Sequence, residues 1–389
     1  PTGDGEPFIY VYDLPAKFNS AMMGLNLEHC RHSIYGAEVH IHEQLLLSSA
    51  VTSDPNKATL FYVPFYASCY LASNFVKPGP GRPNNDVDIG KTMRQVENVL
   101  HYIQSHYPFW NRSDGKDHVW SFATDWGGCQ APLLPLRNSI LLVTSGETTP
   151  SPLPWYTQRA ADHMGSSPEF AHRATMPCFQ THKDIAVPPL ILIPFLVFPS
   201  PSNSPRDIHV YFRGNLEPGP FAKDYSRGLR QRLLELYSSK TRESGGKRWI
   251  VAAGGGPHRE YIEQLRRSVF CLTPPGWELW SIRFFEAAAM GCIPVIVSNN
   301  VELPFERYLD YRTFTVKFAE NDLASIGTVL DGMSSQIVAA KQKALAKAWR
   351  RLRWARPHAK HTDDAFGNLL EELAHRAAPL PPVANAVWH

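Results

Sequence analysis

The stretch VFCLTPPGWELWSIRFFEAAAMGCIPVIVSN, residues 269–299, decides the fold. An apolar run enters a loop containing proline and glycine at 269–277, and the segment 281–290 has the composition of a helix. A second apolar run, 293–299, follows that helix. A strand, a helix and a second strand in this order predict a βαβ unit, whose two strands lie parallel in one sheet.

The same alternation continues on both sides of this stretch. In the carboxyl-terminal half, the pattern predicts strands at 208–214, 247–256 and 313–318 and helices at 224–238, 258–268, 322–333, 335–355 and 363–376. In the amino-terminal half it predicts helices at 36–49 and 89–106 and strands at 58–66, 117–126 and 139–146. Strands that alternate with helices of this length are typical of parallel α/β sheets.

A segment rich in proline and serine separates the two halves. It runs from about 147 to 207, and PSPSNSPRD at 199–207 is the best candidate for a linker. We therefore expect an α/β fold of two Rossmann-like domains, 1–204 and 205–389, with a ligand in the cleft between them at the carboxyl ends of the strands. The last helices can return to pack on the amino-terminal domain.

Composition excludes several classes of protein. The 39 lysines and arginines nearly balance the 36 acidic residues, which argues against a nucleic acid as partner. Hydrophobic residues make up 43% of the chain, enough for a sizeable core. The longest apolar run, 188–199, is shorter than the ~18 residues that a membrane span needs. Because the sequence begins at Pro1 without a methionine or a signal-like segment, we expect any membrane anchor or targeting segment to lie outside it.

The cysteines and one sequon favour the secretory pathway. Six cysteines are an even number without a CxxC pair, which suits three disulfides, although buried free thiols remain an alternative. They are Cys30, Cys69, Cys129, Cys178, Cys271 and Cys292. The triplet from Asn111 to Ser113 is an N-glycosylation sequon.

Motifs for phosphate or metal binding are mostly missing. The tripeptide GKT at 90–92 would need a glycine at position 85 to form a P-loop, and that residue is Asn85. Asp86 and Asp88 form a DxD triplet of the kind some sugar transferases use to hold a metal. The triplet follows a loop rich in glycine and proline rather than an apolar strand, so we interpret it as a solvated loop and helix cap. No metal site is predicted.

Two places in the carboxyl-terminal half carry the chemistry of an anion site. Arg213 directly follows a buried strand, and Gly214 permits close approach to the backbone. Ser281 leads into a helix that bears Arg283 and Glu286. The first turn of a helix presents free N–H groups and the positive end of the helix dipole, which suits a diphosphate.

The same stretch supplies groups for the rest of a nucleotide. Glu286 could accept hydrogen bonds from ribose hydroxyls, and Trp277 or Trp280 could offer a flat face. An alternative is structural: Arg283 and Glu286 lie three residues apart on one helix face and could form a buried ion pair that only pins the helix.

Several segments together resemble the exostosin-like glycosyltransferases of family 47, particularly plant cell-wall members of the irregular-xylem xylosyltransferase type. The matching segments are FIYVYDLPAKFN, AEVHIHEQLLLSS, TLFYVPFY, HYPFWNRSDGKDHVW, DWGGC, KDIAVPPL, VYFRGN, the 269–299 stretch, ELPF and DDAF. They occur in the same order along nearly the whole chain, so the resemblance rests on a collinear set and not on one motif.

The resemblance implies a fold, an activity and a setting. The fold would be GT-B, and the enzyme would transfer a sugar from a UDP-sugar to a glycan with inversion. Addition of β-1,4-xylose from UDP-xylose to xylan is favoured, and galactosyl, arabinosyl or glucuronosyl transfer is the alternative. A non-catalytic glycan-binding subunit of a transferase complex is a second alternative. The setting would be the Golgi lumen, with a type II membrane anchor preceding this chain.

Residue roles carried over from the resemblance concern mainly the donor. Arg213 and Arg283 should neutralise the diphosphate without an obligatory metal, and Glu286 should hold the ribose. Gly276 and Ser281 should line the loop that the phosphates approach. Gly214 and Trp277 complete the expected donor set.

On the acceptor side, Asp125 in the DWGGC segment is the candidate. It should lie at a strand end that faces the cleft, where a carboxylate base can activate the acceptor hydroxyl. It could equally bind acceptor hydroxyls or cap a loop.

Given the resemblance and the expected lumenal setting, we predict the disulfides Cys30–Cys69, Cys129–Cys178 and Cys271–Cys292. The last would join two strands that are neighbours in the βαβ unit.

Overall fold

A computed structural model describes most of the chain. The described residues are 8–24, 30–73, 75–76, 86–87, 89–132, 134–149, 177–191, 205–216, 225–238, 246–254, 257–355 and 363–377. The strands are β1 Ile9–Val11, β2 Leu60–Tyr62, β3 Phe75–Val76, β4 Asp86–Val87, β5 His118–Phe122, β6 Ile140–Val143, β7 Gly146–Glu147, β8 Ile185–Ala186, β9 Ile208–Gly214, β10 Trp249–Ala253, β11 Ser268–Thr273, β12 Ile293–Val297, β13 Val301–Glu302 and β14 Val316–Phe318. The α-helices are α1 Ser20–Met23, α2 Ala37–Leu46, α3 Ala67–Ser73, α4 Ile89–His106, α5 Leu229–Tyr237, α6 His258–Arg266, α7 Ile282–Ala289, α8 Ile326–Gly332, α9 Ser335–Leu352 and α10 Ala365–Ala377.

The carboxyl-terminal sheet has five parallel strands in the order β10-β9-β11-β12-β14. If these five strands are numbered 1 to 5 in chain order, their order across the sheet is 2-1-3-4-5. β10 lies on one side of β9, and β11, β12 and β14 follow on the other side. The direction of strand succession therefore reverses between β9 and β11. In open α/β sheets, ligands bind at the carboxyl ends of the two strands that flank such a reversal.

The amino-terminal sheet is also parallel and has the strand order β1-β2-β5-β6-β8. Val51 forms a single bridge with Ile9 and so extends the other edge of β1. The two sheets confirm the predicted α/β arrangement of two Rossmann-like halves, which is the GT-B fold. The expected domain boundary at 204 stays a prediction, because 192–204 lie outside the described residues.

The two halves meet at their carboxyl edges. β7, from the amino-terminal half, pairs antiparallel with β13, from the carboxyl-terminal half, with Gly146 opposite Glu302. Thr148 donates its backbone N–H to the carbonyl of Asn300 at 2.9 Å, which extends the same contact. This two-stranded sheet holds the strand ends of the two halves on either side of one cleft.

The end of the described chain returns to the amino-terminal half. Arg376 in α10 donates to the carbonyl oxygens of Lys183 and Asp184. The Trp354 indole donates to the carbonyl of Pro188 at 2.9 Å. These bonds give the two halves further contacts besides the pairing of β7 with β13.

All three disulfides occur in the predicted pairing: Cys30–Cys69, Cys129–Cys178 and Cys271–Cys292. None of the six cysteines is free, so the alternative of buried thiols does not hold. The last bridge joins β11 to the residue before β12 and so ties together two neighbouring strands of the carboxyl-terminal sheet.

One predicted helix begins later than its periodicity suggested. The segment 224–238 was expected to be helical throughout, but α5 starts only at Leu229. Ser226, Arg227 and Gly228 have φ values of 56°, 51° and 71°. Left-handed backbone costs roughly 1–2 kcal/mol for each non-glycine residue and cannot continue a right-handed helix. The turn at 226–228 therefore separates Tyr225 from the helix.

No helix among the described residues combines the length and the apolar character needed to cross a membrane.

Candidate active site

Three of the predicted donor residues meet at the end of β9. The Arg283 Nε donates to the carbonyl oxygen of Arg213 at 3.2 Å. A Cβ placed on Gly214 would lie 3.1 Å from both Nε and Nη2 of Arg283, which is tighter than ordinary van der Waals contact. Because Gly214 has no side chain, the guanidinium can lie against the strand end. This is the point at which strand succession reverses.

Ser281 forms the cap of the helix that carries Arg283. Its backbone is extended, and its hydroxyl accepts the Arg283 N–H at 3.3 Å. The cap satisfies one of the free N–H groups of the first turn and sets where α7 begins. The positive end of the helix dipole thus lies beside the Arg283 guanidinium.

Arg283 and Glu286 are not partners. Glu286 accepts a hydrogen bond from the Tyr261 hydroxyl at 2.6 Å, while Arg283 is bonded to the end of β9. Among the described residues, no ion pair joins the two side chains. The alternative of an Arg–Glu pair that pins the helix therefore lacks its central contact, and both side chains remain candidates for ligand binding.

Arg213 has a partner that a ligand can displace. Its Nη1 lies 3.2 Å from Glu260 Oε1 in α6, and the two side chains are 24% and 48% exposed. A pair this exposed contributes little to stability. A diphosphate at the end of β9 can therefore compete for the Arg213 guanidinium at small cost.

The aromatic and glycine residues of the donor loop have differing roles. Trp277 packs edge-to-face on Tyr225 at 4.7 Å between ring centroids. Trp280 instead packs edge-to-face on Tyr35, with 6.5 Å between ring centroids, and its indole also interacts with Asp125 across the cleft. At Gly276, a Cβ would have only ordinary contacts, the nearest being 3.7 Å from the Trp280 carbonyl oxygen. The described protein atoms thus do not themselves require glycine at position 276.

Asp125 lies just beyond the end of β5, where it faces the carboxyl-terminal half. Its Oδ2 accepts a hydrogen bond from the Tyr35 hydroxyl at 2.7 Å, and the Trp280 indole provides a second one. Burial raises the pKa of the Asp125 carboxyl, and these two hydrogen bonds oppose the rise. The carboxylate is therefore held in a fixed orientation and is more basic than an exposed aspartate.

Two further carboxyl groups, Glu147 and Glu278, join Asp125 in the cleft. Glu278 lies in the loop before Ser281, and its carboxyl is hydrogen-bonded to that of Glu147. Burial raises the pKa of Glu278 well above its usual range, and the nearby charges of Glu147 and Asp125 raise it further. Glu147 also forms an ion pair with Arg227, with 2.5 Å between its Oε1 and the Arg227 Nη2. The acceptor side is thus rich in carboxyl groups, whereas the donor side is cationic.

The sequence did not single out Glu147, Glu278, Tyr35, Arg227 or Arg230. Each acts through a partner distant along the chain, so no local pattern marks it. For Arg227, the one available signal was the neighbouring Gly228, because a glycine inside a helical pattern lowers confidence in that helix.

The described residues contain no group of three or more histidine, cysteine or carboxylate side chains arranged to hold a metal ion. Asp86 lies in β4, which pairs with β3, so the DxD triplet is partly strand and not wholly the loop that we expected. Asp88 lies outside the described residues.

Comparisons with known proteins show which sequences this chain is similar to. A family model described as the Exostosin GT47 domain matches residues 5–333. The Arabidopsis thaliana protein "Probable glucuronoxylan glucuronosyltransferase F8H" is 30% identical over 87% of this chain and 66% of its own length. "Probable beta-1,4-xylosyltransferase IRX10" from the same plant is 29% identical over 96% of this chain and 82% of its own length. The solved structure of TarM aligns over 72% of this chain and 57% of its own length at 7% identity, with a TM-score of 0.37.

The family model thus extends from the segment before β1 to the end of α8, and its span includes Asp125, Arg213 and Arg283. The two sheets and the cleft between them lie within the same span. The chain belongs to the exostosin GT47 family of glycosyltransferases.

Proposed function

We propose that this glycosyltransferase moves a sugar from a UDP-sugar to a hydroxyl of a cell-wall glycan, with inversion at the sugar's anomeric carbon. The observation that carries the proposal is the meeting of Arg213, Gly214 and Arg283 at the strand reversal, opposite Asp125 across the cleft. Cations at one wall suit a diphosphate, and an oriented carboxylate at the other suits a hydroxyl.

The reaction follows from this placement. The acceptor oxygen attacks the anomeric carbon from the side of Asp125, which takes the hydroxyl proton. The bond between that carbon and the diphosphate oxygen breaks, and its electron pair stays on the diphosphate. Arg213, Arg283 and the amino end of α7 stabilise the charge that grows there. Attack opposite the leaving group inverts the configuration.

Electrostatics favours a neutral transferred sugar such as xylose. The sugar must lie between the diphosphate site and Asp125, which must be ionised to act as the base. A glucuronosyl group would bring a carboxylate into this surrounding, and like charges at close range are costly in a desolvated site. The resemblance to xylosyltransferases supports the same choice. Glucuronosyl transfer, which the name of the F8H protein describes for that relative, remains the second candidate.

The proposed setting is the Golgi lumen, with a membrane anchor preceding this chain and assembly into a transferase complex. Three disulfides suit an oxidising compartment. Asn111 of the sequon is exposed, so it can carry an N-linked glycan without disturbing the core.

The proposed function is tested by measuring UDP release from a panel of UDP-sugars with and without xylo-oligosaccharide. We expect acceptor-dependent release with UDP-xylose and little with UDP-glucuronic acid. Acceptor-dependent turnover with a different donor would redirect the sugar assignment. No turnover with any donor, from a folded protein, would contradict the proposal and favour a non-catalytic glycan-binding subunit.

We predict that activity does not depend on an added metal ion, because fixed cations and a helix amino end already oppose the charge of the leaving diphosphate. Dialysis against EDTA should leave the rate within about twofold of the untreated enzyme. This corresponds to a change of no more than about 0.4 kcal/mol in the activation free energy. A loss of activity in EDTA that manganese restores would show that a metal is required and would return attention to Asp86 and Asp88.

A further inference from the structure

Arg230 is a cation buried inside the carboxyl-terminal half, with 1% of its surface exposed. Its Nε donates to the carbonyl oxygen of Pro275 at 3.0 Å. Its Nη1 donates to the carbonyl of Asn215 at 2.9 Å and to the Tyr225 hydroxyl at 2.6 Å. The guanidinium also lies over the Tyr225 ring, 4.7 Å from its centroid.

The two carbonyls belong to the two loops of the candidate donor site. Asn215 follows Gly214 at the end of β9, and Pro275 precedes Gly276 in the loop after β11. One side chain therefore joins the loops on either side of the strand reversal. The bond from the Ser226 N–H to the Gly276 carbonyl, at 3.0 Å, ties the turn before α5 to the same loop.

The charge of Arg230 has no counter-ion among the described residues. All its hydrogen-bond acceptors are neutral oxygens, and among the described residues no carboxylate lies within ion-pair distance of it. Its charged neighbour is Arg283, and burial together with this like charge lowers the pKa of Arg230 to about 10. A buried cation without a counter-ion is costly. A site that places two arginines close together, one of them buried and without a carboxylate partner among the described residues, is suited to a ligand with at least two negative charges.

We propose that Arg230 is a positioning residue of the donor site, which holds the two loops together and whose buried charge is balanced by the diphosphate of the bound nucleotide. This inference rests on the proposed function and deepens it, because it assigns the missing counter-ion to the diphosphate and not to the nucleoside. Arg230 lies behind the loops, so it acts through them and through its charge.

The test compares UDP with uridine, which lacks the diphosphate, as ligands in isothermal titration. We expect Arg230→Met to weaken UDP binding by about 10- to 100-fold, the range for loss of a buried charge that meets an anion. Uridine binding should stay within about twofold of wild type, because uridine lacks the diphosphate whose charge Arg230 balances. Arg230→Lys, which retains the charge but not the planar fork, should recover part of the UDP affinity.

Two further variants complete the design. Arg232→Met, an exposed position on the same helix, is the matched control and should bind both ligands as wild type does. Arg230→Gln replaces the methionine variant if that protein does not fold, since it removes the charge but keeps hydrogen-bond donors. It is expected to lose UDP affinity as the methionine variant does.

The outcomes separate the inference from the function on which it rests. If wild type prefers UDP to uridine and the uncharged variants keep that preference, the inference is wrong. Equal losses for both ligands would also overturn it, since they would show a deformed loop and no role for the charge. If wild type itself does not prefer UDP, the proposed donor site fails and the inference fails with it.

Discussion

Replacement of Arg283 by alanine should reduce turnover by about 10²–10³-fold, which corresponds to about 3–4 kcal/mol of transition-state stabilisation. Negative charge grows on the diphosphate as the sugar bond breaks, so a fixed cation there binds the transition state more strongly than the ground state. The structure removes the main competing explanation, because Arg283 is bonded to the end of β9 and not to Glu286. Losing it therefore leaves no buried carboxylate unpaired.

Three measurements on the same sample decide this prediction: the melting temperature, the affinity for UDP and the rate. We expect Arg283→Ala to melt near the wild-type temperature. Arg283→Lys should restore only part of the rate, because the lysine ammonium is a point charge, whereas the planar guanidinium can bind two oxygens at once. Arg259→Ala, at an exposed position in α6, is the control. A sharply lower melting temperature with near-normal activity of the folded fraction would identify Arg283 as a scaffold residue.

Replacement of Asp125 by asparagine should lower turnover by about 10²–10⁴-fold, the usual contribution of general acid–base catalysis. Affinity for UDP should hardly change, because Asp125 faces the acceptor side of the cleft. Asparagine has nearly the same shape, and its carbonyl oxygen can still accept the hydrogen bond from Tyr35. The substitution therefore tests the proton acceptor with little disturbance of the fold.

The pH dependence of the wild-type enzyme gives a second test of Asp125. A base must be ionised to accept a proton, and burial raises the pKa of this carboxyl. The value of kcat/KM should therefore fall as pH falls through a pKa higher than that of an exposed aspartate, and the Asp125→Asn variant should lack this acid limb. Asp13→Asn, an exposed aspartate, serves as the control. Near-normal activity of Asp125→Asn would assign the base elsewhere, with Glu278 the next carboxyl to examine.

Local pattern was a good guide to the elements that frame the site. The strand at 208–214 and the helix at 89–106 have the predicted bounds, because apolar runs and helical periodicity reflect burial of one element against its neighbours. These features depend on contacts between elements that are close along the chain.

The remaining site depends on contacts that local pattern does not encode. Arg230 was read as one residue of a continuous helix, because the left-handed turn at Ser226 and Arg227 leaves no strong compositional signal. Glu278 and Glu147 meet only when the two halves assemble around β7 and β13. The interaction of the Trp280 indole with Asp125 likewise forms only when the two halves assemble. Long-range assembly thus decides which polar side chains share the cleft.

The most direct test of the central claim is a crystal structure of the protein with UDP. The diphosphate should lie between the end of β9 and the amino end of α7, with its oxygens within hydrogen-bonding distance of Arg213 and Arg283. The ribose should contact Glu286. Binding of the diphosphate elsewhere, with Arg213 still paired to Glu260 and no phosphate oxygen near Arg283, would contradict the account.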